Sequence, residues 1–102
     1  MRIIVEIENP KDSTDKRLVL WSTVVDAPVS PLMDEDSMFK YVREGFFEDF
    51  RFFPERMERV RQTGTSSRVF SRDNLLVFNR AGENEQCLSI QELWDRLIET
   101  SE

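Results

Sequence analysis

The feature that most constrains the fold is an apolar stripe between Asp34 and Arg61. Apolar residues recur there every three or four positions, and residues at this spacing occupy a band about 80° wide on one side of an α-helix. The stretch therefore predicts one long amphipathic helix that must bury its stripe against the rest of the chain. The members of the stripe are Phe39, Val42, Phe46, Phe50, Phe53, Met57 and Val60.

Both ends of this helix are marked, and its middle contains a proline. Carboxylates at Asp34–Asp36 favour a helix start, and Gly64 favours a helix end. Pro54 lacks a backbone N–H and disfavours the α conformation at Phe53. The pattern predicts a single helix kinked at Pro54, with a helix that ends and restarts there as the alternative.

A second apolar flank widens the apolar arc of this helix to about 180°. One face of a sheet would not cover so wide an arc, so something else must cover the flank. The C-terminal helix is one candidate, and a second copy of the chain is the other. We expect the second copy, in a homodimer whose interface contains Met38, Tyr41, Gly45 and Phe52.

Short strands surround the helix. Alternating apolar residues predict strands at 2–7 and 17–25, the second with apolar residues on both faces and so central in the sheet. Polar and proline-containing segments at 8–16 and 26–31 predict turns without regular structure. Later apolar runs predict a hairpin and a short edge strand, at residues 68–72, 75–79 and 85–88.

The C-terminal segment predicts a second helix. Ser89 and Glu92 have the spacing of a capping box, and the apolar stripe that follows comprises Ile90, Leu93, Trp94, Leu97 and Ile98. The predicted order is β-β-α-β-β-(β)-α in a single α+β domain over residues 1–102. Its antiparallel sheet has four to five strands, with both helices on one face or one on each. A ubiquitin-like β-grasp is the alternative topology.

Composition narrows the classes of function. The chain of 102 residues has a net charge of −6, which argues against nucleic-acid or anionic-membrane binding through the overall field. It contains no histidine, three scattered glycines and a single cysteine, Cys87. Histidine-assisted catalysis, phosphate-binding glycine loops and paired-cysteine metal sites are therefore excluded within one chain. We predict no catalytic residue, no metal, no cofactor and no membrane segment, and a cytoplasmic location.

Two local groups of residues are candidate sites. Arg59, Arg61, Thr65, Ser66 and Arg68 could hold an anion, since six arginines against Glu55 and Glu58 give residues 51–72 a local charge of +4. An ordinary helix end followed by a linker is the preferred interpretation. A pocket between helix and sheet could be lined by Trp21, Tyr41 and Asp49.

Two further groups have simpler interpretations. The carboxylates of Asp34–Asp36 could bind a hard cation, but Phe39 stands where a calcium loop needs glycine, so helix capping is preferred. Cys87 is expected to be a small buried apolar residue.

The predicted function is that of a small non-enzymatic binding or interaction protein, homodimeric through the aromatic flank. A domain that binds a small molecule or an anion in a helix–sheet pocket is the first alternative. The second is an acidic inhibitor or nucleic-acid mimic, because the chain outside residues 51–72 carries a charge of −10.

Overall fold

A computed structural model describes residues 2–45, 51–67 and 70–101. This part of the chain forms an α+β fold with a three-stranded antiparallel sheet of order β1-β2-β3 and four α-helices. The elements in chain order are β1 (Arg2–Asn9), β2 (Asp12–Ser22), β3 (Ala27–Pro28), α1 (Glu35–Gly45), α2 (Phe53–Thr63), α3 (Arg72–Val77), a 3-10 turn (Glu83–Glu85) and α4 (Ile90–Ser101).

Strands β1 and β2 form a long hairpin with Ile3 opposite Trp21 and Val5 opposite Val19. The predicted strands 2–7 and 17–25 are confirmed in position but not in extent. The turn predicted for residues 8–16 shrinks to two residues, because the polar residues after Asp12 still pair with β1. A strand can extend beyond its buried portion, since the ladder satisfies its backbone whatever its side chains are. β2 also ends earlier than predicted, at Ser22.

Loop segments close both edges of the sheet. On one edge Ala27 and Pro28, predicted to lack regular structure, pair with the end of β2, and Ser30 Oγ accepts from the Leu20 amide at 2.8 Å. On the other edge Ser66 Oγ accepts from the Ile4 amide at 2.8 Å. These serines supply acceptors that a neighbouring strand would otherwise provide, which protects the edges from pairing with another chain.

The long central helix is interrupted, so the prediction of one kinked helix is wrong. Phe52 has φ −111° and ψ 20°, and α2 begins after it with Pro54 in its first turn. A proline is favourable there because its missing N–H has no partner in a helix start. Gly64 ends α2 as predicted, with φ 84° and its N–H donating to Val60 O at 2.7 Å. Phe46 and Phe50 lie outside the described residues.

The sheet is covered on both faces, as in the predicted arrangement with a helix on each. The front face presents Ile4, Leu18 and Leu20 to α1 and α2, which contribute Met38, Val42, Phe53, Met57 and Val60. The back face presents Ile3, Val5, Ile7, Val19 and Trp21 to α3 and α4, which contribute Leu75, Leu76, Leu93, Trp94 and Leu97. Because α4 lies behind the sheet, it does not cover the aromatic flank of the front helices.

The predicted strands at 68–72, 75–79 and 85–88 are the main error, since the described residues among them form no strand. Residues 68 and 69 lie outside the described residues, and the described sheet has three strands rather than four or five. Ser71 Oγ accepts from the Asn74 amide at 3.2 Å and so starts α3, which makes the expected hairpin turn at Asp73–Asn74 the first turn of a helix. The β-grasp alternative also needs strands after the central helix, and the described residues beyond Thr63 contain only an isolated bridge from Thr65 to Val5.

Asn79 organises the segment between α3 and α4. Its side chain is 1% exposed; Nδ2 donates to Leu76 O and Leu88 O, at 2.7 and 2.9 Å, and Oδ1 accepts from Ala81 N and Leu88 N. These four hydrogen bonds hold the segment in place, where the sequence pattern had predicted the backbone hydrogen bonds of paired strands.

The start of α4 confirms the predicted capping box, since Ser89 and Glu92 exchange two hydrogen bonds of 3.2 Å. Leu93, Trp94 and Leu97 of its predicted stripe are buried, Ile98 is partly buried against them, and Ile90 is exposed. Among the described helices, none is long and apolar enough to cross a bilayer.

Candidate functional site

A cleft of about 410 Å³ opens where the back-face helices stop covering the sheet. Four segments contribute to it: the end of β2, the turn at 23–26, the residues that lead into α3, and α3 with the residues after it. We call it the Trp21 cleft, and its lining residues are Trp21, Thr23, Asp26, Phe70, Asn74, Leu75, Phe78 and Arg80.

The base of the Trp21 cleft is apolar and its walls are aromatic. Trp21 is fully buried and Leu75 nearly so, whereas Phe70 is 48% and Phe78 71% exposed. Burial away from water is the usual state of a phenylalanine ring, so two exposed rings beside a cavity are an uncommon feature of a surface.

The rim of the cleft carries one charge of each sign. Asp26 has φ 54°, a left-handed conformation that aspartate adopts more readily than most residues, and its carbonyl accepts from Arg80 N at 2.8 Å. The Asp26 carboxylate and the Arg80 guanidinium are 3.8 Å apart, and both side chains are partly exposed. This distance is too long for a direct hydrogen bond, so both groups keep bonding capacity for a ligand.

Trp21 carries a buried polar group, the N–H of its indole ring. Its indole Nε1–H is buried and has no hydrogen-bond acceptor among the described residues. A buried donor without a partner costs about 1–3 kcal/mol. A ligand with an oxygen acceptor would recover part of this free energy if it reached the indole.

The structure separates the residues predicted to line one pocket. Trp21 does line the cleft, on the back face, but Tyr41 packs against the front-face core. Asp49 lies outside the described residues. The predicted hairpin places Phe70 and Phe78 on strands, so the sequence pattern does not indicate them as lining residues. The signal for a helix start is Ser71, whose side chain accepts from the Asn74 amide.

The predicted anion-binding group lies at the end of α2 and along the edge of β1. Arg59 Nε donates to Ser66 O at 2.8 Å, and Thr65 is 1% exposed. Arg61 pairs with Glu35 and Glu58. Arg68 lies outside the described residues. In this arrangement the described members support the sheet edge and the helix surface through bonds within the chain.

The predicted dimer flank is divided between core and surface. Met38 is fully buried and Tyr41 is partly buried. Gly45 is exposed, and Phe52 is 50% exposed beside α2. The flank thus offers one large exposed apolar side chain, where the sequence pattern had suggested three.

The remaining candidates have structural roles. Asp34 caps α1, since its carboxylate accepts from the Ser37 amide at 2.8 Å, and this bond lowers the pKa of Asp34 from its ordinary value. Cys87 is exposed, so the expected burial is wrong, and its thiol donates to Val77 O at 2.9 Å. No group of three or more acidic or cysteine side chains that could hold a metal occurs within 2–45, 51–67 and 70–101.

Comparisons with protein-family models, with curated proteins and with solved structures find no match. Function is therefore inferred from the geometry and chemistry of the Trp21 cleft itself.

Proposed function

We propose that this chain is a small binding protein that receives an apolar side chain of a protein partner in the Trp21 cleft. The observation that carries the proposal is the exposure of Phe78 and Phe70 at the mouth of a cavity whose base is Trp21 and Leu75. Aromatic residues are enriched in the cores of protein interfaces, where a few well-packed side chains supply most of the affinity.

The chemistry of the lining favours binding over catalysis. Its titratable and charged groups are Asp26 and Arg80, which lie side by side with opposite charges. Among the residues that the structure describes, the lining contains no second carboxylate, thiol or amine that could work with Asp26 as an acid–base pair. The Asp26–Arg80 pair is better suited to orienting a partner at the rim of an interface.

The test uses N-acetyl-L-phenylalaninamide as a probe for an apolar side chain, with ¹H–¹⁵N NMR as the readout. The chain has two tryptophans, so the two indole N–H signals report on the cleft and on a second site in one spectrum. We expect the probe to shift the signals of Trp21, Leu75 and Phe78. Trp94 does not line the cleft and serves as the internal control.

A matched pair of variants sharpens this test. Phe78→Ser should raise the Kd of the probe about tenfold, since a buried aromatic contact is lost, while Phe52→Ser should leave it unchanged. Uniform shifts, or shifts confined to Trp94, would disprove the proposal.

A small molecule is the second candidate for the same cleft. The volume of about 410 Å³ lies within the usual range of small-ligand sites, roughly 300–1,000 Å³. The unpaired indole N–H of Trp21 favours a ligand with an oxygen acceptor. A metabolite screen by thermal shift tests this, and the Phe78→Ser variant should abolish any stabilisation that arises from the cleft.

The homodimer predicted through the aromatic flank has weaker support, which comes from the exposed ring of Phe52. If the chain dimerised through this flank, Phe52→Arg would produce a monomer, measured by light scattering. A cytoplasmic location is also part of the proposal, supported by a lone cysteine that has no partner for an intrachain disulfide.

A further inference from the structure

We infer that the partner at the Trp21 cleft is a second copy of this chain, bound across a two-fold axis; the inference rests on the proposed function. Further exposed apolar residues stand next to the lining of the cleft in the sequence. Exposed apolar residues occur on the turn between β2 and β3, before α3 and at its end: Val24, Val25, Phe70, Val77 and Phe78. These are five of the nine large apolar residues exposed in the described chain, and such a concentration is typical of an interface.

The charges at the rim suit a second copy of this chain. In a two-fold interface the same patch meets itself, so any charged group needs a group of opposite sign on the same patch. Asp26 and Arg80 provide one carboxylate and one guanidinium at the same rim, 3.8 Å apart. Rotation by 180° can place Asp26 of each chain against Arg80 of the other, so that the weak pair within each chain is exchanged for a pair between the chains.

Phe78 supplies the group that enters the cleft. Phe78 is 71% exposed, which is the highest exposure of an aromatic side chain among the described residues, and it stands at the mouth of the cavity. A two-fold axis beside the mouth would let each Phe78 contact Phe70 and Leu75 of the other chain. Two identical insertions would form one continuous apolar core.

The aromatic flank on the front face is less suited to self-association. Phe52 shares its surface depression with Glu55, Arg56 and Arg59, and Arg51 lies over its ring at 5.4 Å. Three arginines against one glutamate would meet their own copies across a two-fold axis. Like charges brought together in this way oppose association.

The test is the mass in solution, measured by size exclusion with light scattering over a hundredfold range of protein concentration. The unmodified chain should approach twice 12.1 kDa at high concentration. Phe78→Arg should raise the dissociation constant at least about tenfold, as expected for a central aromatic contact. Phe52→Arg, the same substitution on the opposite face, should leave it unchanged. Loss of the dimer in Phe52→Arg alone, or in neither variant, would overturn the inference.

Arg80→Glu provides a second variant, which reverses one charge of the rim at a side chain that is 58% exposed. The rim would then carry only carboxylates, so the dimer should weaken at low salt and recover as salt screens the repulsion. A salt-independent effect would count against the placement of Asp26 opposite Arg80.

Failure of this inference can be told apart from failure of the proposed function. A monomer at all concentrations whose Trp21 signals still respond to N-acetyl-L-phenylalaninamide keeps the cleft as a binding site and removes the second copy. A monomer without that response removes both.

Discussion

The two faces of the sheet are covered by different means, and the difference explains where the candidate site lies. The front face is packed by α1 and α2, each of eleven residues. The back face is packed by α4 and by α3, which has only six residues. At 1.5 Å per residue, α3 is about 9 Å long and α1 about 16 Å. Helix coverage therefore ends sooner on the part of the back face that α3 covers, beside Trp21.

The short helix also needs support that the long helices do not. A six-residue helix has few internal hydrogen bonds, because the first four amides and the last four carbonyls lack helical partners. On the back face, Asn79 bonds the Leu76 carbonyl and holds the following loop against it. Because side-chain hydrogen bonds hold the short helix in place, the back face of the sheet can remain partly uncovered. The Trp21 cleft lies at this uncovered part.

Removing the hydrogen bonds of Asn79, which support the back face, should have the largest effect on the free energy of unfolding. Asn79→Ala deletes four hydrogen bonds from a side chain that is 1% exposed and leaves buried backbone groups without partners. We expect a loss of about 3 kcal/mol in the free energy of unfolding, measured by urea denaturation. The control is Asn9→Ala, at the partly buried end of β1, which should cost less than about 1 kcal/mol. Equal losses in both variants would contradict the role given to Asn79.

A substitution at Gly64, in the segment that leads from the front face to the back face, should have an intermediate effect on the stability of the fold. Gly64 has φ 84°, and a Cβ there would lie 2.8 Å from Arg72 Cδ. Gly64→Ala should destabilise the fold by about 1–2 kcal/mol, because side-chain-bearing residues disfavour the left-handed conformation. Gly45→Ala is the matched control, since its Cβ would meet nothing within 4 Å, and it should raise helix stability by up to about 1 kcal/mol. Thermal unfolding of both variants measures the difference; stabilisation by both substitutions would refute the argument.

The smallest expected effect concerns pH and the cap of α1 on the front face. The backbone N–H of Ser37 holds the pKa of Asp34 below its ordinary value, with a further contribution from the Ser37 hydroxyl. A lowered pKa in the folded state gives stability that is present above the ordinary range of aspartate and is lost as the pH falls through the lowered pKa. Asp34→Asn should therefore reduce the loss of stability between about pH 6 and pH 3.

The measurement for this cap is the urea midpoint of the unmodified chain and of the variant at both pH values. Asp36→Asn, which removes a neighbouring charge from the same helix start, serves as the control. A pH dependence identical in all three proteins would show that the Asp34 cap does not contribute.

The sequence by itself determined the elements whose signals are local. Alternation in β1 and β2, the carboxylate before α1, Gly64 after α2 and the Ser89–Glu92 capping box all act within a few residues. Their physical causes are side-chain periodicity and the unsatisfied groups at helix ends, so the pattern alone predicts them. The α+β class and the antiparallel pairing followed from these elements.

Tertiary structure decided the rest, because the deciding contacts join residues far apart in the chain. The apolar run at 75–79 suits a strand or a short helix equally, and burial of Leu75 and Leu76 on the back face selects the helix. Ser66 and Ile4 are 62 residues apart, so their hydrogen bond could not be read from spacing. Trp21 and Tyr41, predicted to share a pocket, lie on opposite faces, since only the packing of helices on the sheet determines which side chains meet.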